Sequence, residues 1–154
     1  MELGKLGCIV QARTTSSRLP GKVLKTIDHK TGKCILSQVI DRLKNVSEID
    51  EIIIATTIND TDDQIVELAE KEGVRAFRGS EDDVLSRFYD AAKLYELDTV
   101  IRITSDCPFI DPEVINDLIS MYVREEYSYI SNGQNRTYPH GLDCEIFSFD
   151  ALEK

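Results

Sequence analysis

The sequence lacks the features of a zinc-stabilised fold, a secreted protein or a membrane protein. Its four cysteines are scattered, form no C-x-x-C pair and have no histidine at metal-binding spacing; they are Cys8, Cys34, Cys107 and Cys144. This pattern disfavours a zinc site or a disulfide framework and predicts a cytoplasmic location. No apolar run approaches the ~20 residues needed to cross a bilayer. The first residues, Met-Glu-Leu-Gly-Lys, do not resemble a secretory signal.

Positive charge is also scarce. The chain has 18 basic and 28 acidic residues, for a net charge of −10. Non-specific nucleic-acid binding depends on many lysines and arginines that displace counterions, so the charge balance argues against a nucleic-acid partner. The dinucleotide fingerprint G-x-G-x-x-G is absent, which disfavours a nicotinamide enzyme. No Ser-His-Asp or Cys-His arrangement is evident, so covalent catalysis is not expected.

Apolar patterning predicts alternating strands and helices in a single domain spanning residues 1–154. Strands are predicted at residues 6–10, 51–56, 74–77, 99–103, 127–131 and 145–149. Helices are predicted around residues 35–43, after a capping box at 61–64, over 81–95, and from the Asp111-Pro112 cap to Arg124. This order predicts a Rossmann-like three-layer α/β/α sandwich with a mostly parallel sheet.

Ligands of such sheets bind where loops leave the carboxyl ends of the strands. Three predicted loops, at residues 11–22, 78–80 and 104–108, follow strands and therefore meet at one edge. The 11–22 loop is cationic, with Arg13, Arg18 and Lys22, and no acidic residue lies between residues 3 and 27. Small residues, a glycine and cations after a strand are suited to a polyphosphate. The alternative is a solvated basic loop without a ligand.

The loop sequence Ala-Arg-Thr-Thr-Ser-Ser-Arg-Leu-Pro-Gly-Lys-Val-Leu, residues 12–24, fits the pattern A-R-x-x-S-x-R-L-P-G-K-x-L. It resembles the N-terminal signature of the sugar-acid cytidylyltransferases, and most closely the spore-coat polysaccharide branch. The resemblance implies the nucleotide-diphospho-sugar transferase fold, CTP and a sugar or sugar acid as substrates, and Mg²⁺. It also implies a homodimer and a chain about half as long again, which makes this sequence a candidate fragment truncated at its C-terminus.

The resemblance assigns roles to individual positions. Arg13 and Lys22 would bind the triphosphate and act in catalysis together with Asp106, which would hold the metal. The substrate-binding residues implied are Ala12, Arg13, Ser16, Arg18, Gly21, Lys22, Gly79 and Ser80, the last two near the cytosine. Where related enzymes have Asp-Glu-Pro, this chain has Asp106-Cys107-Pro108, which removes one carboxylate. Mg²⁺ accepts one or two carboxylates with phosphate oxygens and water, so the departure is compatible with metal binding.

Asp143 follows a glycine turn and precedes a predicted strand, and it is the candidate second metal ligand. The alternative for both aspartates is a turn or cap role. Arg78 and Arg87 are weaker ligand candidates that could instead pair with Glu81, Asp82 or Asp83. Arg102, within an apolar strand, fits either a ligand or a buried ion pair.

These observations lead to one predicted function with two rivals. The prediction is a cytidylyltransferase that couples CMP to a sugar or sugar acid for surface polysaccharide biosynthesis and releases pyrophosphate. One rival is an enzyme of the same fold that uses another nucleoside triphosphate, although such pyrophosphorylases have a glycine-rich first loop. The other rival is a nucleotide-binding module without catalysis, which the loss of the glutamate at Cys107 would favour.

Overall fold

The computed structural model of the protein describes residues 2–154. The strands are β1 (Leu6–Gln11), β2 (Thr26–Asp28), β3 (Lys33–Cys34), β4 (Glu51–Thr57), β5 (Arg75–Gly79), β6 (Thr99–Thr104), β7 (Tyr129–Ser131) and β8 (Glu145–Ser148). The helices are α1 (Ile35–Leu43), α2 (Asp63–Lys71), α3 (Val84–Leu94), α4 (Pro112–Arg124) and α5 (Phe149–Glu153). Short 3-10 turns cover Lys22–Leu24 and Asp60–Asp62.

Six strands form one sheet in the order β5-β4-β1-β6-β8-β7. The pairs β5–β4, β4–β1 and β1–β6 are parallel, whereas β8 runs antiparallel to both β6 and β7. The carboxyl ends of the four parallel strands therefore lie at one edge, as the strand-loop pattern predicts. Strands β2 and β3 form a separate antiparallel hairpin.

Helices cover both faces of the sheet. Along β1, Leu6, Cys8 and Val10 pack into a core with α1, α2 and α4, whereas Ile9 packs on the other face against α3. Burying one such aliphatic side chain contributes roughly 1.5–3 kcal/mol. Continuous apolar runs such as β4 are explained by this two-sided burial. The three-layer α/β/α sandwich with a mostly parallel sheet is confirmed.

Several local predictions differ from the structure. The predicted helix α2 is present, but the capping box at 61–64 is wrong, because Thr61 lies within the 3-10 turn Asp60–Asp62 and Asp62 is the N-cap residue, without a side-chain cap hydrogen bond. Helix α3 begins at Val84 rather than residue 81, since the Asp83 side chain accepts a hydrogen bond from the Ser86 amide and caps it. Strand β5 extends through Gly79, so Arg78 and Gly79 are strand residues and not a turn.

The Asp111–Pro112 start of α4 is confirmed, with the Asp111 carboxylate accepting from the Glu113 amide at 2.9 Å. Within residues 2–154, no helix combines the length and the hydropathy that a transmembrane span requires.

Candidate active site

The three loops after the parallel strands meet at one edge of the sheet. Lys22 Nζ of the 11–22 loop lies 2.7 Å from Asp106 Oδ2, although 84 residues separate them in sequence. On the other side of the loop, Arg13 Nη1 lies 3.8 Å from Glu81 Oε1. The cationic loop is therefore bounded by one carboxylate that follows β6 and by another that follows β5.

The loop has a defined shape because its two ends are hydrogen-bonded. Buried Ala12 donates its amide to the Ala55 carbonyl of β4 at 3.1 Å, which extends β1 by one residue. The Gly21 amide donates to the Thr14 carbonyl at 2.8 Å and closes the loop. Gly21 has φ +66°, a conformation that glycine adopts without strain. Within the loop, Ser16 Oγ accepts from the Leu19 amide at 3.3 Å.

A buried carboxylate holds the beginning of this loop. Asp62 is fully buried and accepts hydrogen bonds from the amide and hydroxyl of Thr14, at 2.8 and 2.6 Å, and from Thr56 and Thr57. Burial alone would raise the pKa of Asp62, but these hydrogen bonds outweigh burial and its pKa is lowered. Sequence reasoning missed this role, although Asp62 lies just past the carboxyl end of β4.

Two cavities flank the loop and share its residues Arg13, Thr15, Ser16 and Ser17. The larger, which we call the loop cavity, has a volume of about 890 Å³ and also contacts Gly21, Thr61, Gln64 and Glu81. The smaller, which we call the aspartate cavity, has a volume of about 340 Å³ and also contacts Arg18, Lys22, Arg102 and Asp106. Arg13 borders both, so it lies between a cavity beside Glu81 and a cavity beside Asp106.

Asp106 forms an ion pair with Lys22. The hydrogen bond from Lys22 is the main cause that lowers the pKa of its carboxyl, against the opposing effect of burial. Asp106 therefore remains ionised at neutral pH and can hold either Lys22 or a metal ion. The neighbouring Cys107 is different, because burial raises the pKa of its thiol and disfavours the nucleophilic thiolate.

Glu81 is the second carboxylate beside the loop. It accepts hydrogen bonds from the Thr15 hydroxyl and from Asn59 Nδ2, and together with nearby Arg13 these lower its pKa. In this position Glu81 supplies the negative charge that a bound phosphate would bring to Arg13. Sequence reasoning considered Glu81 only as a partner for Arg78 or Arg87, and missed its contacts with the loop.

Gly79 and Ser80 lie at the end of β5, beside Glu81. A Cβ at Gly79 would lie 3.0 Å from Arg87 Cγ and 3.1 Å from Phe77 Cε1, so the close approach of these side chains favours glycine. Ser80 Oγ accepts from the Asp83 amide at 3.1 Å. Both residues are thus at the predicted edge, and their contact with a nucleobase stays a prediction.

The three uncertain arginines have distinct environments. Arg78 Nη1 pairs with Asp63 at 2.6 Å, not with the acidic residues 81–83. Arg102 Nη1 pairs with Glu145 at 2.7 Å while it also borders the aspartate cavity. Arg87 is fully buried, and its guanidinium has no hydrogen-bond partner within residues 2–154. Burial, and then repulsion by Arg13, lower the pKa of Arg87, whereas Asp62 and Glu81 oppose that change.

Asp143 does not pair with the loop. Its Oδ1 lies 2.6 Å from Arg136 Nη1. Its negative charge is also close enough to Cys107, next to Asp106, to help raise the pKa of that thiol. In the described part of the chain, no group of three or more His, Cys, Asp or Glu side chains is arranged to hold a metal. A single ionised carboxylate such as Asp106 is nevertheless chemically suited to Mg²⁺, because this ion completes its coordination with phosphate oxygens and water.

The family model described as cytidylyltransferase matches residues 7–153. The spore coat polysaccharide biosynthesis protein SpsF of Bacillus subtilis is 36% identical over 150 residues, which cover 94% of this chain and 59% of that protein. An uncharacterised protein of Methanocaldococcus jannaschii is 44% identical over 146 residues, 95% of this chain and 58% of that protein. The chain thus spans about three fifths of the length of these relatives.

The solved structure of a cytidylyltransferase from Leptospira borgpetersenii superposes with a TM-score of 0.92 at 36% identity, covering 97% of this chain and 63% of that one. A CMP-2-keto-3-deoxy-manno-octonic acid synthetase complexed with CTP superposes with a TM-score of 0.75 at 19% identity, covering 97% and 76%. The second likeness concerns the fold, which is that of the nucleotide-diphospho-sugar transferases. The motif, the fold and the family match agree, and the chain belongs to the cytidylyltransferase family.

Proposed function

We propose that the protein transfers CMP from CTP to a sugar or sugar acid, releases pyrophosphate, and serves surface polysaccharide biosynthesis. The contact of Lys22 with Asp106, beside Arg13, is the observation that supports this most strongly. It places a carboxylate suited to a hard cation next to cations suited to a triphosphate. The name of the B. subtilis relative supports the polysaccharide context.

In the proposed reaction, a hydroxyl of the acceptor attacks the α-phosphorus of CTP in line. A new phosphorus–oxygen bond forms as the hydroxyl proton is lost to water, and the bond from the α-phosphorus to the bridging oxygen breaks as pyrophosphate leaves. Arg13 and Lys22 bind the phosphates and stabilise the charge that develops on the phosphoryl and leaving oxygens. Arg18, which borders the same cavity, adds positive charge.

Mg²⁺ is the proposed cofactor, held by Asp106 with Asp143 as the candidate second ligand. When bound, it would neutralise phosphate charge and help to orient the triphosphate. Lys22 and Asp106 neutralise each other in the absence of nucleotide. On binding, Lys22 turns to a phosphate and leaves the Asp106 carboxylate available to the metal.

The remaining parts of the site serve recognition. Ala12, Ser16 and Gly21 give the 11–22 loop its shape and are proposed to contact the substrate. Gly79 and Ser80 are the proposed contacts to the cytosine. A homodimer and a cytoplasmic location stay predictions from the sequence. The four cysteines are free and buried.

Two measurements test the proposed function. Thermal shift with CTP, UTP, GTP or ATP, each with MgCl₂, should give the largest stabilisation with CTP. A pyrophosphate-release assay with CTP and a panel of sugar acids and amino-sugars should then identify an acceptor. A preference for another nucleotide would favour the first rival. CTP binding without pyrophosphate release from any acceptor would favour the non-catalytic module.

A further inference from the structure

We propose that Asp62 is a positioning residue that fixes the 11–22 loop and thereby sets the separation of Arg13 and Lys22. The inference rests on the proposed function, since the separation matters only if these two cations bind the phosphates of one nucleotide. Asp62 contacts no substrate in this account. It acts through the loop backbone.

The two oxygens of the Asp62 carboxylate have different partners. Oδ1 accepts from the amide and the hydroxyl of Thr14, at 2.8 and 2.6 Å. Oδ2 accepts from the Thr56 hydroxyl at 3.1 Å and from the amide of Thr57 at 3.3 Å, and also from the Thr57 hydroxyl. One oxygen therefore binds the loop and the other binds the end of β4. The carboxylate therefore joins the 11–22 loop to strand β4.

The attachment point lies where it controls both cations. Arg13 directly precedes Thr14, and the Thr14 carbonyl accepts the Gly21 amide at 2.8 Å, immediately before Lys22. Fixing Thr14 therefore fixes the residue that closes the loop. Hydrogen bonds to a charged group are among the stronger ones in proteins. The affinity for a polyphosphate that contacts two cations depends on the distance between those cations.

A carboxylate suits this position better than any other side chain. Asp62 is fully buried and meets five donor groups, and an ionised carboxylate offers only acceptors. An asparagine has the same shape, but its NH₂ group would face donors on either the loop side or the sheet side. The substitution Asp62→Asn therefore breaks the joint while it keeps the volume of the side chain.

The neighbouring Asp63 provides a matched control. It is exposed, pairs with Arg78 at 2.6 Å, and loses the same charge in Asp63→Asn. Isothermal titration with CTP and MgCl₂, and with inorganic triphosphate and MgCl₂, should show at least about tenfold weaker binding of both ligands by Asp62→Asn. Asp63→Asn should change either affinity by less than about twofold.

A purely structural role would lower the melting temperature of Asp62→Asn but leave the affinity of the folded protein unchanged. Titrations are therefore made well below the melting temperature of each variant. Amide hydrogen exchange gives a second readout, in which residues 13–22 should exchange faster in Asp62→Asn than in Asp63→Asn. In turnover, the KM for CTP should rise more than kcat falls.

If Asp62→Asn does not fold, substitutions of Thr14 provide the test. Thr14→Val loses the hydroxyl that donates to Asp62, whereas Thr14→Ser keeps it, so Thr14→Val should weaken triphosphate binding several-fold more. Equal affinities of Thr14→Val and Thr14→Ser, or wild-type affinity in folded Asp62→Asn, would overturn this inference and leave the proposed function standing. Failure of the wild-type protein to bind either CTP or triphosphate would contradict the proposed function, and the inference would fall with it.

Discussion

The 11–22 loop and the segment of residues 132–144 each carry a glycine turn and candidate site residues, but they are held in different ways. The loop is bound by the rest of the protein, through Ala55, Asp62 and Asp106. The 132–144 segment is bound mainly by itself. The side chain of Asn132 joins the two ends of the segment, because it donates to the Leu142 carbonyl and accepts from the Cys144 amide. Within the segment, Arg136 pairs with Asp143.

This difference indicates that the two halves of the site are organised to different degrees. The 11–22 loop, which is the proposed nucleotide-binding half, is held by buried groups and neighbouring strands, so we expect its shape to be set before a ligand binds. The 134–140 stretch is exposed, and its ion pair with Asp143 is a local surface contact of small expected strength. We therefore expect substitutions in the loop to affect activity more than matched substitutions in the segment.

The largest difference in activity is expected between substitutions of the two candidate metal ligands. Asp106→Asn should lower kcat/KM by about 1000-fold, since metal stabilisation of phosphoryl charge is worth several kcal/mol. Asp143→Asn should have a clearly smaller effect, because Asp143 pairs with Arg136 of its own segment and not with a cation of the 11–22 loop. Steady-state kinetics across a range of MgCl₂ concentrations would measure both. An equal or larger loss in Asp143→Asn would reverse the comparison and make the segment the main metal-binding element.

The next effect concerns the cations that pair with these carboxylates. Lys22→Met should lower kcat/KM for CTP by about 100-fold, because it removes a fixed positive charge from the phosphates. Arg136→Met removes the corresponding cation of the segment and should change kcat/KM by less than about threefold. Circular dichroism would establish that both variants are folded. Similar losses in the two variants would show that the loop has no special part in binding the triphosphate.

A third comparison uses stability instead of activity. Asp62→Asn should lower the free energy of unfolding by about 2–4 kcal/mol, because its NH₂ group would replace one buried carboxylate oxygen and leave the donors on that side without an acceptor. Asp143→Asn should lower it by less than about 1 kcal/mol, as expected for an exposed pair. Urea unfolding would measure both. A loss in Asp62→Asn as small as that in Asp143→Asn would contradict the anchoring role of Asp62.

The same variant has a defined pH dependence. The pKa of Asp62 is lowered in the folded protein, so its contribution to stability is fully present above the ordinary aspartate pKa of about 3.9 and is lost as the pH falls through the lower, folded value. The difference in unfolding free energy between wild type and Asp62→Asn should therefore shrink only below about pH 4. A difference that is constant down to pH 2 would argue against an ionised Asp62.

The smallest effect should come from Glu81, which pairs with Arg13 as Asp143 pairs with Arg136. Glu81→Gln removes an anion that competes with phosphate for Arg13, so inorganic triphosphate should bind a few-fold more tightly. Asp143→Asn should leave triphosphate affinity in the absence of metal unchanged. Titration calorimetry without MgCl₂ would measure both. Weaker binding by Glu81→Gln would show that Glu81 supports the loop more than it competes with the ligand.

The sequence predicted what depends on local pattern. The apolar runs of β1, β4 and β6 indicated strands covered on both faces, and the motif of residues 12–24 indicated the family. The rule that ligands bind at carboxyl ends of strands predicted correctly that Lys22 and Asp106 lie at the same edge. These features could be read because each is encoded in a short stretch.

The sequence did not predict the partners of individual charged groups. Asp62 was interpreted as part of a helix cap because Thr61 and Gln64 have capping spacing, whereas its five hydrogen bonds come from residues 14, 56 and 57. For Arg78 and Arg87 the sequence left open a ligand role or a pair with residues 81–83, and in the structure neither pairs with residues 81–83. Such contacts depend on how loops from separate strands pack, which no local pattern contains. The direction of β8 was also not predictable, since its central residues Ile146 and Phe147 are apolar and buried, as residues of a parallel strand would be.

The most direct test of the account is an experimental structure of the protein with CTP and Mg²⁺. The account predicts a triphosphate between Arg13 and Lys22, a metal ion on Asp106, and a Lys22 Nζ that has left its 2.7 Å contact with Asp106 Oδ2 for a phosphate oxygen. A nucleotide bound elsewhere, with the contact between Lys22 and Asp106 intact, would contradict it.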